Sequence, residues 1–357
     1  MAGRAPSAEA DPLPAGLRAV ASRVEARVLA LLDAETERWG RLDPGLVEPL
    51  DAVRSLVLAG GKRLRPVFCH WGFVAAGGDR ADDRWVDAGA AFEMLQAFAL
   101  IHDDVMDGSA TRRGAPAVHR RFDRRHHAAG WSGESRRFGE GVAILAGDLA
   151  LVYSDLLLPD APAELWTLWH ELRIELNIGQ YLDLAGTATG GVGRQGARRI
   201  ARMKSGRYTI ERPLQVGAIL AGDAALAERV SAYGDPLGEA FQLRDDVLGV
   251  YGVAERTGKP GGDDLREGKP TQLLAVAAER ADAAGRALLA RVGGELDDDL
   301  VAQLQDLLRT TGALDEVEAE IAALHARAVG ALDQLGLGAE AAGALRDLAD
   351  FVVARDA

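Results

Sequence analysis

The stretch WVDAGAAFEMLQAFALIHDD, Trp85–Asp104, is long, apolar and free of proline, and it ends on paired carboxylates. It lacks the strict apolar–polar alternation of a half-buried strand, so it reads as a helix. The same texture runs outward in both directions. Leu17, Val20, Val24, Val28 and Leu31 recur at steps of three and four, with Glu25, Arg27 and Glu35 on the polar side, as an amphipathic helix requires. LWTLWHELRIELNIGQYLDL, GEAFQLRDDVLGVYG and TQLLAVAAERADAAGRALLARV repeat the pattern, while LDPG, AGGKRLRP, AAGGD, LPDAP, TATGGVG and TGKPGGDD supply the Gly and Pro that end helices. None of these breaks is long enough for an interdomain linker. The expectation is an all-α protein of many helices in one domain over residues 16–357, after a flexible tail at 1–15. Arg120–Gly141, rich in charge, Gly and Ser, reads in part as an exposed loop carrying His126 and His127.

The 357 residues suffice for a large core. With 41 basic against 54 acidic residues the net charge is -13, which argues against a general nucleic-acid surface. The single cysteine, Cys69, lies in the apolar RPVFCHWGFV and reads as a buried thiol in a reducing cytoplasm. The N-terminal residues have no continuous apolar run of a signal peptide, and the longest apolar stretches, such as VAILAGDLALVY, are broken by Gly or Asp. The C-terminal VVARDA has no lipidation cysteine. No stable membrane anchor is expected.

On a helix Asp103 and Asp107 share a face, and Asp104 is turned away by one residue's rotation. Like charges one turn apart repel, and the apolar FALI behind them adds a desolvation cost, so a bound cation is the natural compensation. Oxygen ligands of this kind suit magnesium, which takes one or two carboxylates together with water and phosphate oxygens. A second pair, Asp245 and Asp246 in QLRDDVLGV, echoes the first. Lys62, Arg63, Arg65, Arg112, Arg113, Lys204, Lys259 and Lys269 lie beside predicted loop ends, where cations can hold phosphate. GGKRLRP lacks the spacing of a nucleotide-binding phosphate loop. His102 beside Asp103 finds no companion histidines for a metal site, and no nucleophile elbow is present.

Taken in order, GGKRLRP, HDDVMDGSATRRG, GQYLDL, MKSGRYT, FQLRDDVLGVYG and TGKPGGDDLREGKPT resemble the motifs of the trans-isoprenyl diphosphate synthase family, from about Leu50 to Thr271. The resemblance implies an all-helical homodimer with a deep central cavity, acting on isopentenyl diphosphate and an allylic diphosphate with Mg2+. It assigns Asp103, Asp107 and Asp245 to the metal cluster, with Asp104 and Asp246 completing the acidic motifs. It gives Arg112, Lys204 and Lys259 to the allylic diphosphate, and Lys62, Arg65, Arg113 and Gln96 to isopentenyl diphosphate. Ser205, in place of the usual Thr, and Gln242 fall near the developing cation.

Two positions bear on detail. Gly249 stands where the second motif of the family usually ends in Asp. Phe98 and Ala99, five and four residues before the first motif, resemble the bulky–small pair of enzymes that stop at geranylgeranyl diphosphate. Farnesyl or longer-chain synthesis is the neighbouring alternative. A class I terpene cyclase shares the helical fold, but usually carries a different second metal motif and needs no isopentenyl site. A noncatalytic partner subunit would be expected to lose motif residues that are retained here.

Overall fold

Leu17, Val20, Val24 and Val28 lie buried along α1 (Ala15–Gly40), and the stripe continues through Leu32 rather than the expected Leu31, which is only partly covered. The computed structural model describes residues 15–252 and 261–354. Of the tail expected at 1–15, residues 1–14 lie outside the described residues and Ala15 begins α1, and Lys259 also lies outside them. After α1 come α2 (Glu48–Leu58), α3 (Leu64–Ala75), α4 (Arg84–Asp107), α5 (Val118–Ala128), α6 (Ser135–Leu156), α7 (Ala163–Thr189) and α8 (Gly193–Ile200). A π-helical segment (Ala201–Glu211) leads into α9 (Arg212–Leu220), α10 (Ala224–Arg229) and α11 (Ser231–Tyr251). Beyond residue 260 follow α12 (Asp263–Glu267), α13 (Gln272–Arg280), α14 (Ala283–Leu289), α15 (Asp298–Thr310), α16 (Ala313–Leu335) and α17 (Ala339–Val353).

The all-α expectation holds, with one small exception among the described residues: β1 (Thr111–Arg112) pairs with β2 (Ala115–Pro116) in a minimal antiparallel hairpin. Two expected elements differ. Within Arg120–Gly141 the exposed loop is confined to residues 129–134, and His126 and His127 are helical instead, because Val118, Phe122 and His126, four residues apart, bury one side of the otherwise charged α5 against α6. His126 is thus a core residue, with its Nε2 at 3.1 Å from the Ser132 carbonyl. The run TQLLAVAAERADAAGRALLARV breaks at Ala281, and Asp282 caps a new helix by accepting from the Gly285 amide at 2.7 Å.

α4 is the centre of the bundle, packed on α6, α3 and α1. Its Phe92 meets Trp169 of α7 edge-on at 5.0 Å between ring centroids, and truncating a buried aromatic of this kind costs about 3–5 kcal/mol. Cys69 is buried in the same core, and burial pushes its thiol pKa up, as expected of an unreactive group. α11 links two apolar clusters. Tyr233, Leu237 and Phe241 belong to the main core, whereas Leu243, Val247 and Val250 pack with Leu265, Leu273, Leu304 and Val317 in a second one. The second acidic motif therefore sits at the junction of the two clusters. No helix among the described residues is long and apolar enough to cross a membrane.

Candidate active site

The last turn of α4 carries the first acidic motif and stops at Gly108, whose φ of 67° lets the chain reverse. The hairpin that follows turns on Arg113 and Gly114, both at positive φ (52° and 75°). Such a two-residue turn matches the strand twist, although a non-glycine residue rarely adopts it. It swings Arg112 back onto the helix it has just left. The Arg112 Nε donates to Asp104 Oδ1 at 2.8 Å, and its Nη2 donates to Asp103 Oδ2 at 3.2 Å. Asp104, 1% exposed, is thus the buried anchor of the arginine, and Asp103 stays at the rim.

Asp103 collects further donors from α7 and the π-helical segment. Lys204 Nζ lies 3.0 Å from Asp103 Oδ1 and 2.6 Å from Asp183 Oδ2, and the Gln180 amide donates to Asp103 at 3.2 Å. π-Helical turns are rare and gather at functional sites, and here the wider turn holds Lys204 and Ser205 beside α7. Gly179 permits that approach, since a Cβ there would come 2.5 Å from the Lys204 backbone nitrogen. Burial raises the Asp103 pKa, but Lys204, Arg112 and Lys269 outweigh it and hold the carboxyl below its usual range. Asp107 behaves in the opposite way: burial and the Asp103 charge push its pKa up to about 6, and its Oδ2 is buried without a hydrogen-bond partner.

On α11, Gln242 donates to Asp246 Oδ1 at 2.8 Å, one helical turn away. Asp246 is buried, and burial, together with the nearby charges of Asp264 and Asp245, drives its pKa well above the carboxylate range despite that bond. Asp245 is half-buried beside it. One turn further on, a Cβ built at Gly249 would fall inside the Asp264 carboxylate, whose farther oxygen, Oδ1, would stand 3.0 Å away. Lys269 pairs with Asp264 at 3.3 Å and with Glu267 at 2.6 Å. Its charge also acts on Asp103, Asp107 and Asp246, so the two acidic motifs face a common ammonium group.

The basic residues of GGKRLRP divide into two kinds. Arg63, counted among the phosphate candidates, is instead structural: it starts α3 in a left-handed conformation, is buried, and bonds Glu93 and the Val57 carbonyl. A buried guanidinium in such a network cannot turn to a ligand without leaving Glu93 unpaired. Lys62 is exposed, with its Nζ 5.4 Å from the centre of the Phe351 ring on α17. Arg65 lies over the Tyr208 ring at 4.2 Å and donates to Thr209 Oγ1 at 2.8 Å, while its Nε has no hydrogen-bond partner. Arg113 donates to the Leu56 carbonyl at 3.0 Å. Burial, then Arg63, Arg112 and Arg65, bring its pKa down to about 10, against the opposing pull of Glu93. Leu56, Val57, Arg63, Glu93, Gln96, Ala97, Leu100 and Arg113 line a small cleft. Crowded guanidinium groups around a cleft make a site that an anion would relieve.

The structure thus draws together Asp103, Asp104, Asp107, Arg112 and Lys204 on one side, Gln242, Asp245 and Asp246 on the other, and Gln96 with Arg113 in a separate basic cleft. Gln96, Ala99, Leu100, Asp103 and Asp107 form the half-covered stripe of α4. Phe98 lies off that stripe, buried and edge-on to His102 at 4.7 Å. His102 itself turns to α6, its Nε2 at 3.0 Å from the Ile144 carbonyl, away from the acidic motif. Gln180, Asp183 and Asp264 were not assigned roles from the sequence, and Lys269, named there as a phosphate candidate, is found paired with Asp264 and Glu267. Gln180 and Asp183 belong to GQYLDL, whose polar residues at a spacing of three on an apolar helix were the available signal.

A hard divalent cation fits this arrangement. Its carboxylates offer only oxygen donors, and the buried Asp107 Oδ2 has no hydrogen-bond partner. Among the described residues no three Asp, Glu, His or Cys side chains converge as a complete cage, so such an ion would be shared with phosphate oxygens of a ligand, as magnesium commonly is.

Comparison with known proteins agrees. A geranylgeranyl pyrophosphate synthase from Corynebacterium glutamicum, solved with isoprenyl diphosphate and magnesium, superposes with a TM-score of 0.90 at 38% identity, over 94% of this chain and 99% of that one. The geranylfarnesyl diphosphate synthase of Aeropyrum pernix is 31% identical over 84% of this chain and 92% of its own length. The (2E,6E)-farnesyl diphosphate synthase of Mycobacterium bovis is 33% identical over 83% of this chain and 80% of its own. The family model described as polyprenyl synthetase matches residues 48–309. With its helical fold and motif order, the chain belongs to the polyprenyl synthetase family of trans-prenyl diphosphate synthases.

Proposed function

We propose that this protein joins isopentenyl diphosphate to an allylic diphosphate and carries elongation to geranylgeranyl diphosphate. The observation that supports the chemistry is the pairing of the Asp103–Lys204–Arg112 cluster with the separate basic cleft of Gln96 and Arg113. Two diphosphates need two cationic sites, and Arg112 with Lys204 would form one and Arg113 with Lys62 and Arg65 the other. Asp103, Asp107 and Asp245 would hold magnesium, which supplies Lewis-acid stabilisation to a leaving diphosphate. Arg112, Lys204 and Lys259 would grip the allylic diphosphate, with Arg112 held ready by Asp104. Lys62, Arg65, Arg113 and Gln96 would hold isopentenyl diphosphate.

As the allylic carbon–oxygen bond breaks, its electron pair leaves with the diphosphate, and Arg112 and Lys204, already placed beside Asp103, would stabilise the growing charge. Ser205 and Gln242 face the resulting carbocation. The isopentenyl double bond supplies the electrons of the new carbon–carbon bond, and the proton lost afterwards passes to the released diphosphate. The half-covered α4 stripe below Asp103 is where the growing chain would lie, and Ala99 on that stripe with Phe98 on its flank would limit its length. The similarity to the Corynebacterium enzyme supports the twenty-carbon product.

We further infer a cytoplasmic homodimer. Leu145, Val152 and Leu156 of α6 and Ile174, Ile178 and Tyr181 of α7 are large apolar side chains left exposed on helices consecutive in the chain, and exposed apolar side chains of this kind fit burial by a second copy. Sedimentation equilibrium at two protein concentrations checks the assembly.

Product analysis tests the activity. The purified protein with magnesium, isopentenyl diphosphate and dimethylallyl, geranyl or farnesyl diphosphate should give geranylgeranyl diphosphate from each starter, and Phe98→Ala should give longer products. A different product length from the unaltered protein would overturn the length assignment. Binding or cyclisation of an allylic diphosphate without elongation would overturn the synthase reading.

A further inference from the structure

We propose that Glu175 of α7 is a positioning residue for Lys204: by joining Arg207 to Arg212 it holds the π-helical segment in the register that points Lys204 at Asp103. The inference rests on the synthase reading above, in which Lys204 grips the allylic diphosphate. Glu175, Gly179 and Asp183 are four residues apart on α7, so they share one face, and that face meets the π-helical segment at three levels. Asp183 takes the Lys204 ammonium at 2.6 Å, Gly179 admits the Lys204 backbone, and Glu175, one turn earlier, accepts from both Arg207 and Arg212. The Arg212 fork is complete, with Nη2 at 2.8 Å from Oε1 and Nε at 3.1 Å from Oε2.

That both arginines reach one carboxylate is a property of the wider turn. In an α-helix residues five apart point about 140° away from each other, whereas the π-helical i→i+5 bond stacks them. The Arg212 amide donates to the Arg207 carbonyl, so these two residues close such a bond with their backbones and share Glu175 with their side chains. Each arginine has other partners: Arg207 Nε donates to Glu211 at 2.7 Å, and Arg212 has Gln215 at 2.9 Å and Glu171 at 3.5 Å. Neutralising their charges would not by itself require Glu175 to touch both. On its other side the segment meets glycines of α11, where a Cβ at Gly238 would stand 2.5 Å from the Gly206 carbonyl oxygen and one at Gly234 2.8 Å from the Glu211 Cα. Such contacts set how near the helices lie, but a glycine offers no side chain to hold a rotation. If the Arg207–Arg212 turn tightened to an α-helical one, the chain before it would rotate by about 100° relative to α9, and Lys204 would leave Asp103 and Asp183.

A double-mutant cycle separates positioning from plain support of the fold. Affinity for inorganic pyrophosphate in the presence of magnesium, read by isothermal titration, is measured for Glu175→Gln in the unaltered background and in Lys204→Met, with thermal unfolding of each variant alongside. Arg207→Lys goes through the same cycle, so that the test survives if Glu175→Gln does not fold. It keeps a cation beside Glu211 but loses the planar fork that also reaches Glu175. Either change should weaken pyrophosphate binding by about fivefold or more where Lys204 is present, and by less than about twofold where it is absent. Equal losses in the two backgrounds, with a lowered unfolding temperature, would overturn the proposal, because Glu175 would then act on the fold and not through Lys204. Unchanged affinity in both variants would overturn it as well. Elongation by the unaltered protein together with either of those results would remove this inference alone, whereas absence of elongation by the unaltered protein would remove the synthase reading and this inference with it.

Discussion

The two DDV segments read almost alike, yet the fold treats them differently. In each, the second aspartate is the buried one: Asp104 is taken by Arg112 and Asp246 by Gln242. The partner decides the outcome. A guanidinium keeps an ionic pair at the end of α4, and Lys204 and Gln180 add further donors to Asp103. An amide cannot offset the burial of Asp246, whose pKa rises well above the ordinary range. The first motif is therefore a charged site with its own cations, and the second is an under-neutralised one that faces Lys269. Identical short sequences acquire different chemistry from what packs beside them.

The sharpest way to break the contrast is at Asp103, where Lys204, Arg112 and Gln180 converge. Asp103→Asn should lower kcat/KM by about a thousandfold, in the range for losing a preorganised electrostatic group; steady-state kinetics with both substrates measures it, and a loss below tenfold would mean that the first motif is not the dominant one. Next in size is the difference between the two buried partners. Arg112→Met leaves Asp104 without its cation and should cost about 3–5 kcal/mol in urea unfolding. Gln242→Leu removes only the amide hydrogen bond to Asp246 and should cost about 1 kcal/mol. Equal losses would erase the distinction.

A pH experiment sharpens it further. The folded-state pKa of Asp107, about 6, is above its unfolded value near 4, so the folded state holds that proton more tightly. The contribution of Asp107 to stability is fully present below about pH 4 and is lost as pH rises through 6. In metal-chelated protein, Asp107→Asn should therefore stabilise the fold by about 2 kcal/mol at pH 7.5, and the gain should vanish by pH 4. Asp103, whose pKa is held down, contributes stability above its unfolded pKa and loses it as pH falls, so Asp103→Asn should show the reverse trend. Parallel urea titrations at the two pH values decide the sign.

Helix periodicity and motif order made much legible. α4, α7 and α11 fall where the apolar patterns place them, and the burial of Cys69 follows from its apolar neighbours. α5 was obscured because its arginines and histidines hide the narrow Val118–Phe122–His126 stripe that packs on α6. Arg63 was misread because a cation in a Gly-rich loop resembles a ligand-binding group until Glu93, distant in sequence, is brought against it. Asp183 could be noticed in its motif, but its tie to Lys204 depends on how closely Gly179 lets two backbones approach.

The amino-acid sequence alone determined the helical class, the family motifs and the spacing of Asp103 and Asp107 on one face, because these depend on residue type and on the 3.6-residue period of the chain. Which acids remain charged, which arginines are structural, and that Asp264 occupies the space beside Gly249 were decided only by tertiary packing. Electrostatics falls off with distance through space rather than along the chain, so groups far apart in sequence set one another's charge only once the fold has brought them together.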